Sequence, residues 1–167
     1  MCLSSAAEEF SLAPYSPSTF VPSARMAATP ATPPVSLSLQ RAKQLWEAYQ
    51  AYEASYSPEL ATIYADEATV QIQHQRGNGP SLTEIIPAGQ YQQSIRQLMS
   101  VAKSSGDCSL YENVRFVEKG SWVIVQATRV DGRGGYRVPH WLTILPDSTS
   151  PLGGHVVAEV AVIQEAQ

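Results

Sequence analysis

The stretch Ser57-Pro58-Glu59-Leu60-Ala61-Thr62-Ile63-Tyr64-Ala65-Asp66-Glu67-Ala68-Thr69-Val70 decides how the rest of this chain is read. A capping serine, a proline at the first helical position and an acid in the first turn announce a short helix. That helix is expected to run to about Tyr64, with Asp66 helping to end it. From Ala68 to Gln75 the pattern turns to alternation, with Val70 and Ile72 apolar between Thr69, Gln71 and Gln73. Alternation of that kind predicts a half-buried strand.

Upstream, Leu39, Ala42, Leu45, Trp46, Tyr49, Tyr52 and Tyr56 recur at steps of three and four, the helical period. Ser38 is the expected N-cap of this long first helix. Residues 1–35 read differently. They are rich in Ser, Ala and Thr and carry Pro14, Pro17, Pro22, Pro30, Pro33 and Pro34, with too little apolar content to offset chain entropy. They are expected to form a disordered tail, and Met26 within it is an alternative natural start. The domain is expected to span 36–167.

Downstream, Gly77-Asn78-Gly79-Pro80 is concentrated turn chemistry, followed by a short return strand from Leu82 to Ile86. Pro87 opens a third helix with Tyr91, Ile95, Leu98, Met99 and Ala102 as its apolar stripe, and Gly106 stops it. Four strand-like runs finish the chain, at about 108–118, 121–131, 136–145 and 154–164. Their separators are short and rich in turn formers, which favours antiparallel neighbours. The expected fold class is α+β, three helices packed on a curved, mostly antiparallel six-stranded sheet.

Composition narrows the function. The formal charge of −4 over 167 residues argues against a nucleic-acid partner, which usually needs a basic stripe. No stretch approaches the roughly 20 apolar residues of a membrane span, and the first 35 residues lack the basic start and apolar segment of a secretory signal, so a cytoplasmic protein is expected. Cys2 and Cys108 make neither a disulfide framework nor a metal knuckle. His74, His140 and His155 form no spaced ligand motif, and the chain has neither a phosphate loop nor a dinucleotide fingerprint. No metal and no cofactor is expected.

The order helix, helix, strand, strand, helix and four strands resembles the nuclear transport factor 2-like superfamily, which includes the SnoaL-like proteins, ketosteroid isomerase, scytalone dehydratase and limonene epoxide hydrolase. The carrying residues are the aromatic first helix and Pro58 to Val70, similar to the family's second helix running into its first strand. The resemblance covers residues 36–165. It implies a cystatin-like cone whose concave face is closed by helices over an apolar pocket. It also implies catalysis, where present, by carboxylates, histidines or tyrosines inside that cone. No Asp–Arg–Asp set maps onto epoxide hydrolase chemistry.

Polar residues on apolar strand faces are the candidates. His140 shares its face with Tyr136, Val138, Leu142 and Ile144, where an imidazole is either a hydrogen-bonded core residue or a base. Arg129 interrupts Val123, Val125 and Ala127, and Glu159 interrupts the run from Val156 to Val162; a buried charge is costly unless paired, so the two could pair with each other or face solvent. Tyr49, Tyr52, Tyr56, Tyr64 and Tyr91 could donate to a ligand oxygen, although their spacing first of all describes buried aromatic mass. Asp66 and Glu67 fit a plain helix end, and His74 precedes a loop. The leading reading is a SnoaL-like protein that binds one small, largely hydrophobic molecule. The alternatives are a cofactor-independent isomerase, dehydratase or cyclase, and a dimeric interaction module with a vestigial pocket. A homodimer through the sheet is expected, because the last strand is apolar on both faces: Val156, Val160 and Val162 on one, Val157, Ala161 and Ile163 on the other.

Overall fold

A computed structural model describes residues 35–75, 81–132 and 134–164. The expected tail, Val35 apart, and the Gly77-Asn78-Gly79-Pro80 turn lie outside the described residues. Helix α1 spans Leu37–Ala54 and buries Ala42, Leu45, Trp46 and Tyr49 on one face. Its N-cap is Ser36 rather than Ser38, and the Ser36 hydroxyl accepts from the Leu39 backbone N–H. Either serine suits a cap; the earlier one wins because the helical stripe already includes Leu39.

The second helix is a 3-10 helix, Pro58–Ile63, capped by Ser57 and burying Leu60, Ala61 and Ile63. Strand β1, Tyr64–Gln75, follows without a loop. The expected strand start at Ala68 is therefore four residues late, and Asp66 lies in the strand instead of ending a helix. The cause is a register shift between Tyr64 and Thr69, where irregular pairing with the last strand hides the alternation. Strand β2, Leu82–Pro87, leads into α2, Ala88–Ser105. Strands β3 (Ser109–Lys119), β4 (Trp122–Asp131), β5 (Arg137–Pro146) and β6 (Gly154–Gln164) complete the sheet.

The six strands lie in the order β2-β1-β6-β5-β4-β3. Every neighbouring pair is antiparallel except β1 and β6, which run parallel. Short connections forecast the antiparallel pairs; they are silent on β1 and β6, which are far apart in sequence. Irregularities in β1, β3 and β6 bend the sheet.

On the helix-covered face Val70, Val123, Val125, Leu142, Ile144 and Val156 join Leu45, Trp46 and Ile63 in one core, each no more than 4% exposed. The irregularity opposite Thr143 and Ile144 corrects the expected sides of β6. Val156 pairs with Ile144, while Glu159 pairs with Leu142 and Ala161 with His140. Val156, Glu159, Ala161 and Ile163 thus face inward, and Val160 and Val162 face outward. No helix among the described residues is long and apolar enough to cross a membrane.

Candidate functional site

Strand pairing brings three of the expected polar residues to adjacent inward positions. Arg129 lies opposite Val138, next to the Ala127–His140 pair, and His140 faces Ala161 while its strand neighbour Leu142 faces Glu159. Tyr49 descends from α1, Tyr64 opens β1 and Tyr91 projects from α2. Together with Tyr56, Leu60, Ile72, Met99, Ala102, Asp107, Ser109, Ala161 and Ile163, most of these residues line a cavity of about 190 Å³. Tyr49, Leu60, Glu159 and Ala161 are its buried lining residues, and the others are half-buried.

Glu159 is the centre of the polar network. It is 3% exposed, and its carboxyl oxygens accept from Tyr64 at 2.5 Å and Tyr49 at 3.5 Å. Burial pushes its pKa up, against the lowering pull of the Tyr64 hydrogen bond, to about 7. The Nε2 of His140 stands 3.8 Å from Glu159 Oε1, within ion-pair range yet too far for a hydrogen bond. Neither ring nitrogen of His140 has a hydrogen-bond partner among the described residues. Burial, and then Arg129, drive its pKa down to about 3. At neutral pH the contact therefore joins a neutral imidazole to a half-protonated carboxyl and is not an ion pair in the usual sense.

Arg129 and Glu159, expected as partners of each other, are satisfied separately. Arg129 Nε donates to Ser109 Oγ at 2.7 Å, and its terminal nitrogen lies 4.0 Å from Glu53. Burial works against its charge, but Tyr111 and Glu53 outweigh that and hold its pKa above the ordinary value. Tyr111 donates to Glu53 at 2.6 Å and lies 3.4 Å from the Tyr49 hydroxyl, so hydroxyls link the two carboxyl groups. Burial and the nearby carboxylates raise the pKa of Tyr49, Tyr64 and Tyr111 well above the ordinary tyrosine value, which keeps them neutral donors.

Tyr52 packs against the core but does not line the cavity. His140 lies behind the lining, its ring within 5.4–6.3 Å of the centroids of Trp46, Tyr49 and Tyr111. Tyr64 meets Tyr91 edge-on at 5.3 Å. His74 faces Glu84 on β2, Asp66 and Glu67 lie outside this cavity, and Cys108 packs against Gly132. Among the described residues no three His, Cys, Asp or Glu side chains gather where one metal ion could be held.

The sequence reading missed Glu53, Tyr111, Ser109 and Asp107. Glu53 was legible, one helical turn beyond Tyr49 on the same face. Tyr111 was not. Counting back from the Lys119–Trp122 pair places Glu112 opposite Arg129, but Asn113 adopts φ 55° inside a β3 irregularity and shifts Tyr111 into that place.

A helix-capped bent sheet with a lined cavity is a pocket-bearing cone. Its fold is that of the nuclear transport factor 2-like proteins, the cystatin-like fold. A nuclear transport factor 2-like protein of Pseudomonas putida KT2440 is 12% identical and superposes with a TM-score of 0.52 over 72% of this chain and 82% of its own. A Thiobacillus denitrificans protein assigned as an association domain of the calcium/calmodulin-dependent protein kinase type II kind is also 12% identical. It gives a TM-score of 0.50 over 72% of this chain and 93% of its own. A protein of Novosphingobium aromaticivorans with a cystatin-like fold, 10% identical, gives 0.47 over 77% and 82%. No family model matches the sequence, and no curated protein matches it.

Proposed function

We propose that this protein binds one small, largely apolar molecule in the cone, with the polar end of the ligand at Glu159, Tyr49 and Arg129. The observation that carries this reading is the cavity of about 190 Å³ closed at its deep end by a buried carboxyl. A cavity of about 150 Å³ accepts benzene, so this one suits a single ring with a short substituent. Titration with phenol or para-cresol, followed by NMR shifts of the protein, should give saturable binding. Ala161→Phe fills the cavity floor and should weaken that binding more than tenfold. Unchanged binding in that variant would place the ligand elsewhere.

A second reading, cofactor-independent acid–base chemistry of the isomerase, dehydratase or cyclase kind, is favoured by Glu159. A buried carboxyl with a pKa near 7 exists in both protonation states at neutral pH, which suits a group that takes and returns a proton. Under this reading Glu159→Gln should keep ligand affinity within a few fold while abolishing deuterium exchange from solvent into a bound ketone such as cyclohexanone.

The outward sheet face supports the expected homodimer. Trp141, Val160 and Ile124 are half-buried there, and Trp122 and Leu145 are 51% and 38% exposed. The same fold serves as an association domain in the Thiobacillus protein. Sedimentation equilibrium at micromolar concentration should report twice the chain mass. Trp141→Arg should return a monomer, and a wild-type monomer would rule this interface out.

A further inference from the structure

Among the described residues, the cavity of the cone is lined by the carboxyl groups of Glu53, Asp107 and Glu159 against a single guanidinium, that of Arg129. That guanidinium is already engaged. Its Nε donates to Ser109, and its terminal nitrogen lies 4.0 Å from Glu53. The other groups around Glu159 bring it no positive charge. Tyr49 from α1 and Tyr64 from β1 donate to it as neutral hydroxyls, and Tyr91 from α2 lines the same cavity. Tyr111 from β3 donates to Glu53, and burial keeps His140 from β5 neutral. Among the described residues no Lys or Arg stands within ion-pair range of Glu159. A buried carboxylate without a cation is costly, and Glu159 accordingly keeps its proton up to about pH 7.

We infer that the polar end of the ligand in the cone is an ammonium group docked on Glu159, so that the ligand class is a small organic amine with an apolar body of about one ring. This inference rests on the proposed pocket and adds to it the charge of what binds there. An ammonium group supplies the countercharge that the fold itself withholds from Glu159, and its N–H groups donate to the carboxylate in charge-assisted hydrogen bonds. The lining also carries the aromatic rings of Tyr49 and Tyr91, and aromatic rings attract organic cations. An anion would meet three carboxyl groups there, and a neutral molecule would leave Glu159 without a counterion. His140 fits the same reading. Neither of its ring nitrogens has a hydrogen-bond partner among the described residues, and its Nε2 stands 3.8 Å from Glu159 Oε1. A neutral imidazole carries one N–H. Placed on Nε2, that proton makes His140 a third donor, beside Tyr49 and Tyr64, for a Glu159 that has ionised against a bound cation.

Benzylammonium, benzyl alcohol and benzoate share one ring and differ in charge, so they separate the three cases. Each is titrated by NMR into the wild type at pH 8 and at pH 5.5, and into Glu159→Gln at pH 8. At pH 8 the wild type should bind benzylammonium about tenfold or more tightly than benzyl alcohol, the margin of a hydrogen bond to a charged group, and benzoate most weakly. At pH 5.5 benzylammonium keeps its charge while a carboxyl with a pKa of about 7 is almost fully protonated, so the preference should nearly vanish. In Glu159→Gln, whose amide oxygen still accepts from Tyr64, the preference should shrink to within a few fold at pH 8. If the wild type binds benzyl alcohol as tightly as benzylammonium, the inference falls while the pocket stands. Tighter binding of benzoate would assign the polar end to Arg129 and overturn the inference in the same way. A preference for benzylammonium that survives in Glu159→Gln, or that is unchanged at pH 5.5, would take the ammonium away from Glu159 and overturn it too. If the wild type binds none of the three, the pocket reading fails and this inference with it.

Discussion

Trp46→Ala should destabilise the fold by about 3–5 kcal/mol, the range for removing a large side chain from a packed core. Trp46 is 4% exposed and lies at the centre of an aromatic cluster. Its ring stacks on Tyr49 at 5.3 Å with the planes 9° apart, and meets Tyr111 edge-on at 5.0 Å. Those two tyrosines belong to different layers, one on α1 and one on β3, so Trp46 joins the helix to the far side of the sheet. Deleting it removes buried apolar area and leaves a void that rigid neighbours on the sheet cannot collapse to fill. Urea melts should show a lower midpoint with an unchanged slope. A near-neutral result would mean that α1 packs on a different face from the one described. The same deletion should also disturb Glu159. Tyr49 stacks on Trp46 and contacts the Glu159 carboxyl, and burial is the first cause of that carboxyl's raised pKa.

How much of this was legible in the residues depends on the period of each element. The stripe of α1 was readable because Ala42, Leu45, Trp46 and Tyr49 repeat at three and four, and the structure buries that set. The polar interruptions of β4 and β5 were readable for the same reason, since Arg129 and His140 break runs with a regular period of two. The 3-10 helix blurred the start of β1. The β6 irregularity at Val156 misassigned an entire strand face, because one extra residue flips every side chain beyond it. Tyr111, which stands opposite Arg129, was hidden in the same manner by the irregularity at Asn113. Local sequence carries no sign of such insertions when neither glycine nor proline marks them. Tyr56 was readable as part of a helical stripe and misleading as such. It lies just beyond the helix, and its left-handed turn is set by the terminal bonds to Tyr52 and Glu53.

Removing Glu159 or His140 should tilt the pH dependence of stability in opposite directions. Glu159 has a folded pKa of about 7, above the 4.5 of an ordinary glutamate. As pH rises from 4.5 the unfolded chain releases this proton first, so the unfolded state binds fewer protons than the folded one. Stability linked to Glu159 is thus fully present below 4.5 and is lost by about pH 7, on the order of 3 kcal/mol in all. His140 has a folded pKa of about 3, below the ordinary 6.5. Its contribution is present above 6.5 and is lost as pH falls toward 3, because the unfolded imidazole takes up a proton that the buried one refuses. Between pH 4.5 and 6.5 the two slopes have opposite signs and similar size, so they cancel in the wild type. Across this window Tyr49, Tyr64 and Tyr111 stay neutral and Arg129 stays charged, so none of these four adds a slope of its own. Glu159→Gln keeps an acceptor for Tyr64 and leaves the His140 slope alone. Its stability relative to the wild type should rise by up to about 1.4 kcal/mol per pH unit across that window. His140→Phe keeps a flat ring among Trp46, Tyr49 and Tyr111 and leaves the Glu159 slope alone. Its relative stability should fall at a comparable rate. Denaturant melts of all three proteins at pH 4.5, 5.5 and 6.5 read the difference directly. Curves that run parallel would mean that neither group changes its proton affinity on folding. Solvent would then reach the deep end of the cone, and Glu159 would be an ordinary carboxylate there.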